Sequence, residues 1–439
     1  APPLFNSITS NASRIFWLML IMLPLSSEIN FTSSLGMDMP DELLLMLLTA
    51  MMMIKLVHEP KWFPRSVSIH PLFLLLVMHL VWLLITCLYS QDPWLSIKYL
   101  LAKTWYILPL VILPQRLIQN DRSWRTLALC LLLPMLFVVI QTLARHALYG
   151  FSFADIKHIF SPFFRNHVNY SSMLVCLLAV AWCTWKLTPE ENPRRKWLLY
   201  GMGIGLIALA FSYSRGAWLA LLSGIIGAYL IRKRWIGIAL AIAILAAVTG
   251  IAWLSANHQY MAFRPVHDKT VFHTDFSEHI SATLKGRDIS NAERMYRWIA
   301  GARMVAEKPV TGFGPNTFYS QYRPYTVSSF ETWVSNNPEH STVHNYFLLT
   351  AIEQGWPGLV LFGLLFAGML LYTQYLYHRS SDTFYTTIAL TIGAILIMIA
   401  VINCLSDMIE TDKIGGIFWL CLGGIIRLQI AKGRLQIET

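Results

Sequence analysis

Apolar residues in this chain come in long runs, not in strict alternation. A run of roughly 20 apolar residues is what a membrane-crossing helix needs. On that basis the sequence predicts spans at 14–31, 41–57, 70–90, 97–115, 124–147, 167–187, 197–212, 215–231 and 235–256. A polar stretch at 257–342 follows, and then spans at 356–377, 383–405 and 413–430. The expected total is twelve, which puts both termini on one side. Glu28 and Asn30 interrupt the far end of the first span. That span follows Arg14 and leads to no small-residue cleavage site, so it reads as a helix and not as a removable leader.

Polar positions then set the orientation, because cytoplasmic loops collect Lys and Arg. One set of loops carries Lys55, Lys61 and Arg65; Arg116, Arg122 and Arg125; Arg194, Arg195 and Lys196; Arg232, Lys233 and Arg234; and Arg427, Lys432 and Arg434. The opposite set carries Asp38, Asp41 and Glu42, and later Asp407, Glu410 and Asp412. The termini are therefore expected in the cytoplasm, and the 257–342 loop on the external or periplasmic side.

Composition agrees. The 439 residues are 55% hydrophobic and 13% charged, with a mean hydropathy of +0.50, whereas soluble domains carry about a quarter charged residues. A soluble globular protein is excluded. The net charge of +10 would suggest nucleic acid in a soluble chain; here the basic loops account for most of it, and no nucleic-acid partner is expected. The six cysteines fall inside predicted spans and read as small buried hydrophobes, not as a disulfide framework or zinc site.

The informative residues are cations on the side where cations are scarce. Arg215, in "FSYSRGAW", sits in the turn between the seventh and eighth spans. Lys98 and Lys103 lie in the outer half of the fourth span, and Arg145, Lys157 and Arg165 in or beside the segment preceding "RNHVNYSS". An ionisable group at membrane depth costs about 2.5–3.5 kcal/mol on insertion scales, so it usually faces a cavity and a partner. The alternative is snorkelling to the headgroups. Guanidinium forks suit phosphate oxygens. A lipid-linked diphosphate presents such oxygens at this depth, and inorganic anions fit the same cluster.

Within the loop, "SNAERMYRWIAGARMVAEKP" predicts a helix that Pro309 stops. Ser290 and Glu293 suit a capping box, and Met295, Trp298, Ile299, Ala302, Val305 and Ala306 form an apolar stripe able to pack on the membrane domain. Arg294 falls at the stripe's edge, with Arg297 and Arg303 on flanking faces; each is either a solvated face residue or a functional one. "TGFGPNTF" has neither Walker nor dinucleotide glycine spacing and reads as a tight bend. His267, His273, Asp275, Glu278 and His279 cluster in sequence without a recognised metal-ligand spacing, so no metal is expected.

"HSTVHNYFLLTAIEQGWPG" (340–358) stands where the loop re-enters the membrane. Ser341 or Thr342 is placed to cap a helix starting near Val343, with His344 in its first turn and Gly355 and Pro357 breaking it. The helix dipole and nearby arginines disfavour imidazolium there. A neutral imidazole suits a general base; the alternative is an interfacial histidine bonded to backbone.

These motifs together resemble the bacterial O-antigen ligases, whose superfamily also holds O-antigen polymerases and protein O-oligosaccharyltransferases. "SRGAW" is similar to the family's Ser-Arg-Gly turn and carries over to Arg215. "ERMYRWIAGARMVAEKPVTGFGPNTF" resembles its Arg-x-x-x-Trp helix followed by Pro-x-x-Gly-x-Gly, with the family arginine on Arg294 and not Arg297. "VHNYFLLTAIEQGWPG" resembles its His-Asn-x-x-Leu segment, with the essential histidine on His344, the neighbouring Asn345, and glycines on Gly355 and Gly358. "FFRNHVNYSSML" resembles the family's Asn-rich entry to a mid-chain helix.

The resemblance implies an all-α polytopic membrane protein of the GT-C type in the bacterial inner membrane. It implies a metal-independent, inverting glycosyltransferase without a cofactor. The donor would be a glycan on undecaprenyl diphosphate, and the acceptor a hydroxyl of lipid A–core. His344, Arg215 and Arg294 would be catalytic, and Arg215, Arg294, Lys103, Arg145, Arg165 and Asn345 would bind substrate. Residues 1–256 would form membrane helices, 257–342 a periplasmic loop domain, and 343–439 a catalytic helix segment with the last three spans. A polymerase, a protein oligosaccharyltransferase and, more remotely, a lipid-glycan transporter remain alternatives.

Overall fold

The computed structural model describes residues 3–32, 35–156, 159–263, 289–332, 335–337 and 341–435. Lys157 and the group His267, His273, Asp275, Glu278 and His279 lie outside them. Thirteen longer helices carry the described part: α1 Pro3–Met22, α2 Asp41–His58, α3 Pro71–Leu88, α4 Pro93–Ile112, α5 Asp121–Leu148, α6 His167–Lys186, α7 Arg194–Ala210, α8 Arg215–Arg232, α9 Ile236–Ser255, α10 Ile289–Glu307, α11 Tyr346–Arg379, α12 Thr383–Leu405 and α13 Asp412–Leu435. Among the described residues, eight elements are long and apolar enough to cross a membrane: α3, α4 with its continuation to Leu117, α5, α6, α9, α11, α12 and α13. The other four expected spans are helical as well, in α1, α2, α7 and α8. This is a multi-pass helical membrane protein.

The first expected span, 14–31, needs correction. Its helix stops at Met22, and Ser27–Thr32 is a strand paired antiparallel with Leu35–Met39, Glu28 opposite Asp38. Pro24 is the physical reason, since the residue before a proline is driven out of the helical region. The polar residues that follow then satisfy their backbone in a hairpin.

Five of the helix starts are capped by acidic or amide side chains. Asp92 accepts from Leu95, Asn166 from Val168 and Asn169, Asn345 from Leu348 and Asp382 from Phe384, while Asn120 and Ser123 form a reciprocal capping box. The Asn of "RNHVNYSS" is therefore a cap for α6.

At the centre stands α12, which packs against α6, α8, α11 and α13. Outermost is α9, which buries little more than Ile236. At one end of the bundle basic residues are bonded to carbonyls: Arg116 to Trp62, Arg427 to Ile118 (2.5 Å) and Arg125 to Leu187 (3.3 Å). We call this the basic face. The opposite end gathers the hairpin, the α7–α8 turn, residues 404–410 and the described part of the long loop.

That part of the loop builds a second core around the first turns of α11. Tyr296, Ile299, Ala300, Met304 and Val305 of α10 are buried with Phe313, Phe318, Tyr322, Phe330, Val343, Leu349 and Ile352. The helix is rotated from the expected stripe, for Ala302 and Ala306 are exposed. Its inner surface is covered by α11 on one side and the Phe313–Tyr322 aromatics on the other, which widens the buried arc.

Candidate active site

The helix α11 carries a break at Gly355 (φ 68°, ψ −175°), a conformation that L side chains seldom adopt. A break in a helix orphans carbonyls, and Pro357 has no N–H to offer. The glycine-rich bend takes up those partners. Phe313 N–H donates to Ile352 O (3.0 Å), Gly314 N–H to Glu353 O (3.0 Å), and Trp356 N–H to Pro309 O (2.8 Å). Trp82 donates its indole N–H to Gln354 O (2.8 Å). A Cβ on Gly355 would collide with the Val310 carbonyl, and one on Gly312 with the Glu353 backbone. "PVTGFGP" is thus more than a bend: it fastens the loop to the broken helix and fixes where α11 begins.

That beginning corrects the expected position of His344. The cap is Asn345 and the helix starts at Tyr346, so His344 lies two residues outside it in a left-handed conformation (φ 54°). A non-glycine residue holds such a conformation only when its surroundings impose it. Those surroundings come from two directions. From α10, Trp298 donates to Val343 O (3.0 Å) and Arg297 to Thr342 O (3.4 Å). From the end of α12 and the turn after it, Ser406 O accepts from Tyr346 N–H (3.0 Å), Cys404 O accepts from the Asn345 amide (3.2 Å), and Asp407 accepts from the Thr342 hydroxyl (2.6 Å).

The same turn gathers the arginines. Arg294 donates from Nε to Leu405 O (3.2 Å). Arg215 is the first residue of α8, and a Cβ on its neighbour Gly216 would lie 3.9 Å from the Leu405 side chain. The four-residue turn 211–214 before it is pinned by Tyr213 OH on Phe151 O (2.8 Å) and Trp218 Nε1 on Leu209 O (2.9 Å). Residues 404–407 therefore bring His344, Asn345, Arg294 and the start of α8 together from four elements.

Burial, then the Arg297 and Arg294 guanidiniums, push the His344 imidazole down to about 3. It is neutral at any ordinary pH. Burial raises the Asp407 carboxyl above its usual range, against the lowering effect of the Thr342 hydroxyl.

Lys103 stands beneath this group. Its Nζ pairs with Glu410 (2.8 Å) and donates to Tyr346 OH (3.2 Å), and Tyr99 OH also donates to Glu410 (2.8 Å). Arg145 donates to Ser161 O, and Arg165 forms an ion pair with Glu28 of the hairpin. Arg145, in the last turn of α5, and Arg165 thus hold the 149–166 segment to α5 and to the hairpin.

Sequence reading missed two supports. Arg297, expected on a flanking face, is 5% exposed and pairs with Glu293 (3.1 Å). Glu293 also accepts from Ser335 (2.6 Å) and Thr332. Glu293, expected in a capping box, serves this network. Its i, i+4 spacing to Arg297 was the available signal. The second support is Asp407, which nothing in its local sequence distinguishes from an ordinary loop acid.

Among the described residues, no three His, Cys, Asp or Glu side chains are grouped as metal ligands. No curated protein matches the chain. The stretch from 200 to 363, which carries Arg215, Arg294, His344 and Asn345, matches the protein-family model described as O-antigen ligase.

Proposed function

We propose that this protein is a lipopolysaccharide O-antigen ligase. It transfers a glycan from undecaprenyl diphosphate to a hydroxyl of lipid A–core, with inversion and without a metal, on the periplasmic side of the bacterial inner membrane. The twelve helices would all span, in a GT-C-type arrangement with both termini in the cytoplasm. The observation that carries the reading is a neutral histidine, imposed in a left-handed conformation, beside Arg294 and next to the N-terminus of α8 where Arg215 sits.

The chemistry follows from those groups. A helix N-terminus and an arginine both favour an anion, so Arg215 and Arg294 hold the donor's diphosphate. The acceptor hydroxyl attacks the anomeric carbon from the opposite face. The bond from that carbon to the diphosphate oxygen breaks, and undecaprenyl diphosphate leaves with the electron pair, its growing charge offset by the guanidiniums. The hydroxyl proton passes to His344. Burial, with the Arg297 and Arg294 guanidiniums, suppresses the imidazole's basicity; a diphosphate held by Arg294 offsets that arginine's share. Asn345 positions this segment by capping α11, and Lys103 supports it through Tyr346.

The test is a reconstituted transfer assay with an undecaprenyl-diphosphate glycan, lipid A–core and EDTA, alongside His344→Ala. Glycan-bearing lipid A that disappears in the variant supports the proposal. Elongated lipid-linked glycan with untouched lipid A would make the protein a polymerase. Activity abolished by EDTA and restored by a divalent cation would overturn the metal-free mechanism.

A further inference from the structure

On the basic face a groove of about 350 Å³ opens between α5, α6 and α7. Its walls are apolar, with Leu133 and Leu136 of α5 and Leu174 and Leu177 of α6, and its floor is Gly201 and Gly205 of α7. At Gly201 an added Cβ would meet nothing within 4 Å, so that position is groove space and not packed helix. From Arg194 at the mouth to Gly205 the groove follows α7 for about 16 Å, at about 1.5 Å per residue. That is roughly half of a hydrocarbon core about 30 Å thick, the depth of one leaflet.

The mouth is polar and positive. Arg125 and Arg194 both line it, with Trp197 beside them at 73% exposure. Arg194 also opens α7, whose N-terminal dipole adds to the positive field. The neighbouring Arg195 is engaged by Glu190 (2.7 Å) and lies over the Trp185 ring, which leaves Arg194 and Arg125 as the cations at the groove itself. Arg125 is anchored by its bond to Leu187 O (3.3 Å). Tryptophan at this level is the side chain that favours the headgroup boundary.

We propose that this groove is a binding site for one anionic glycerophospholipid of the leaflet on the basic face, with an acyl chain over Gly201 and Gly205 and the phosphate between Arg125 and Arg194. The apolar length matches one leaflet, and the charge at the mouth matches an anionic headgroup. The proposal does not depend on the transfer reaction.

The test is native mass spectrometry of the full chain in detergent, titrated with phosphatidylglycerol and with phosphatidylcholine of the same acyl chains. One phosphatidylglycerol should be retained in preference, by about thirtyfold for two cations at the mouth. Arg194→Gln should cut that preference about fivefold. Gly201→Leu, which fills the groove and leaves both arginines, should abolish retention. Both positions are clear of the packed core, and unchanged melting temperatures would establish that the variants are folded. Millimolar inorganic phosphate should not displace the lipid. Equal retention of the two lipids by the unaltered protein, displacement by phosphate, or folded variants that hold phosphatidylglycerol as before would each overturn the proposal.

Discussion

The indole N–H of Trp298 donates to the carbonyl of Val343 at 3.0 Å, one residue before His344. A helix of the long loop thereby fixes the backbone that presents the histidine. Trp298→Phe keeps the ring and deletes the bond. A bond of this type is worth about 0.5–1.5 kcal/mol, so transfer should fall about three- to tenfold, with the loss in kcat and not in donor KM. Steady-state kinetics on the reconstituted variant measures this.

Arg294 and Arg297, both on α10, should separate cleanly in role. Arg297 is buried against Glu293, and removing one member of a buried pair costs about 3–5 kcal/mol. Arg297→Met should lower the melting temperature in detergent. Arg294→Gln should leave melting nearly unchanged and reduce transfer about a hundredfold or more, as loss of a charge-stabilising donor does. The opposite assignment of the two losses would show that the site arginine had been misidentified.

Titration of His344 gives a third test. Its folded value lies near 3, below an unfolded value of about 6.5, so between these the unfolded chain binds the extra proton. Its contribution to stability is therefore full above about pH 6.5 and lost as pH falls towards 3. Between pH 7 and pH 5 the unaltered protein should lose more melting temperature than His344→Gln does. Donor diphosphate should raise the histidine value, read by NMR of labelled imidazole. A titration near 6.5 with the site empty would contradict the electrostatics described here.

Gly355→Ala places a side chain in a left-handed position against the Val310 carbonyl. Strain of this kind costs about 1–3 kcal/mol, and the collision adds to it. The variant should melt at lower temperature and lose transfer as well, because the break in α11 sets where His344 stands. Gly201→Leu, in an open groove, serves as the control for adding bulk to a helix.

How much of this was legible in the sequence depends on the range of the interaction. Spans are a local property, and apolar runs located the helices from α2 onward; the first failed because Pro24 was read as part of a run. His344, Asn345, Arg215 and Arg294 were legible as motifs in order, since each sits in a short patterned stretch. Their supports were not. Glu410 meets Lys103 across 307 positions and Asp407 meets Thr342 across 65, and no periodicity reports on contacts of that separation. The face of α10 was misjudged for a related reason: one apolar stripe was assumed where two surfaces cover the helix.

The C-terminal end of α12 holds the site through backbone oxygens, those of Cys404, Leu405 and the capping Ser406. Every residue type supplies the same carbonyl. Substitutions such as Cys404→Ala or Ser406→Ala should therefore pass almost unnoticed in transfer, while insertion or deletion of a single residue there would misalign four elements at once. The part of the molecule on which the assembly most depends is written in chain length and not in amino-acid identity.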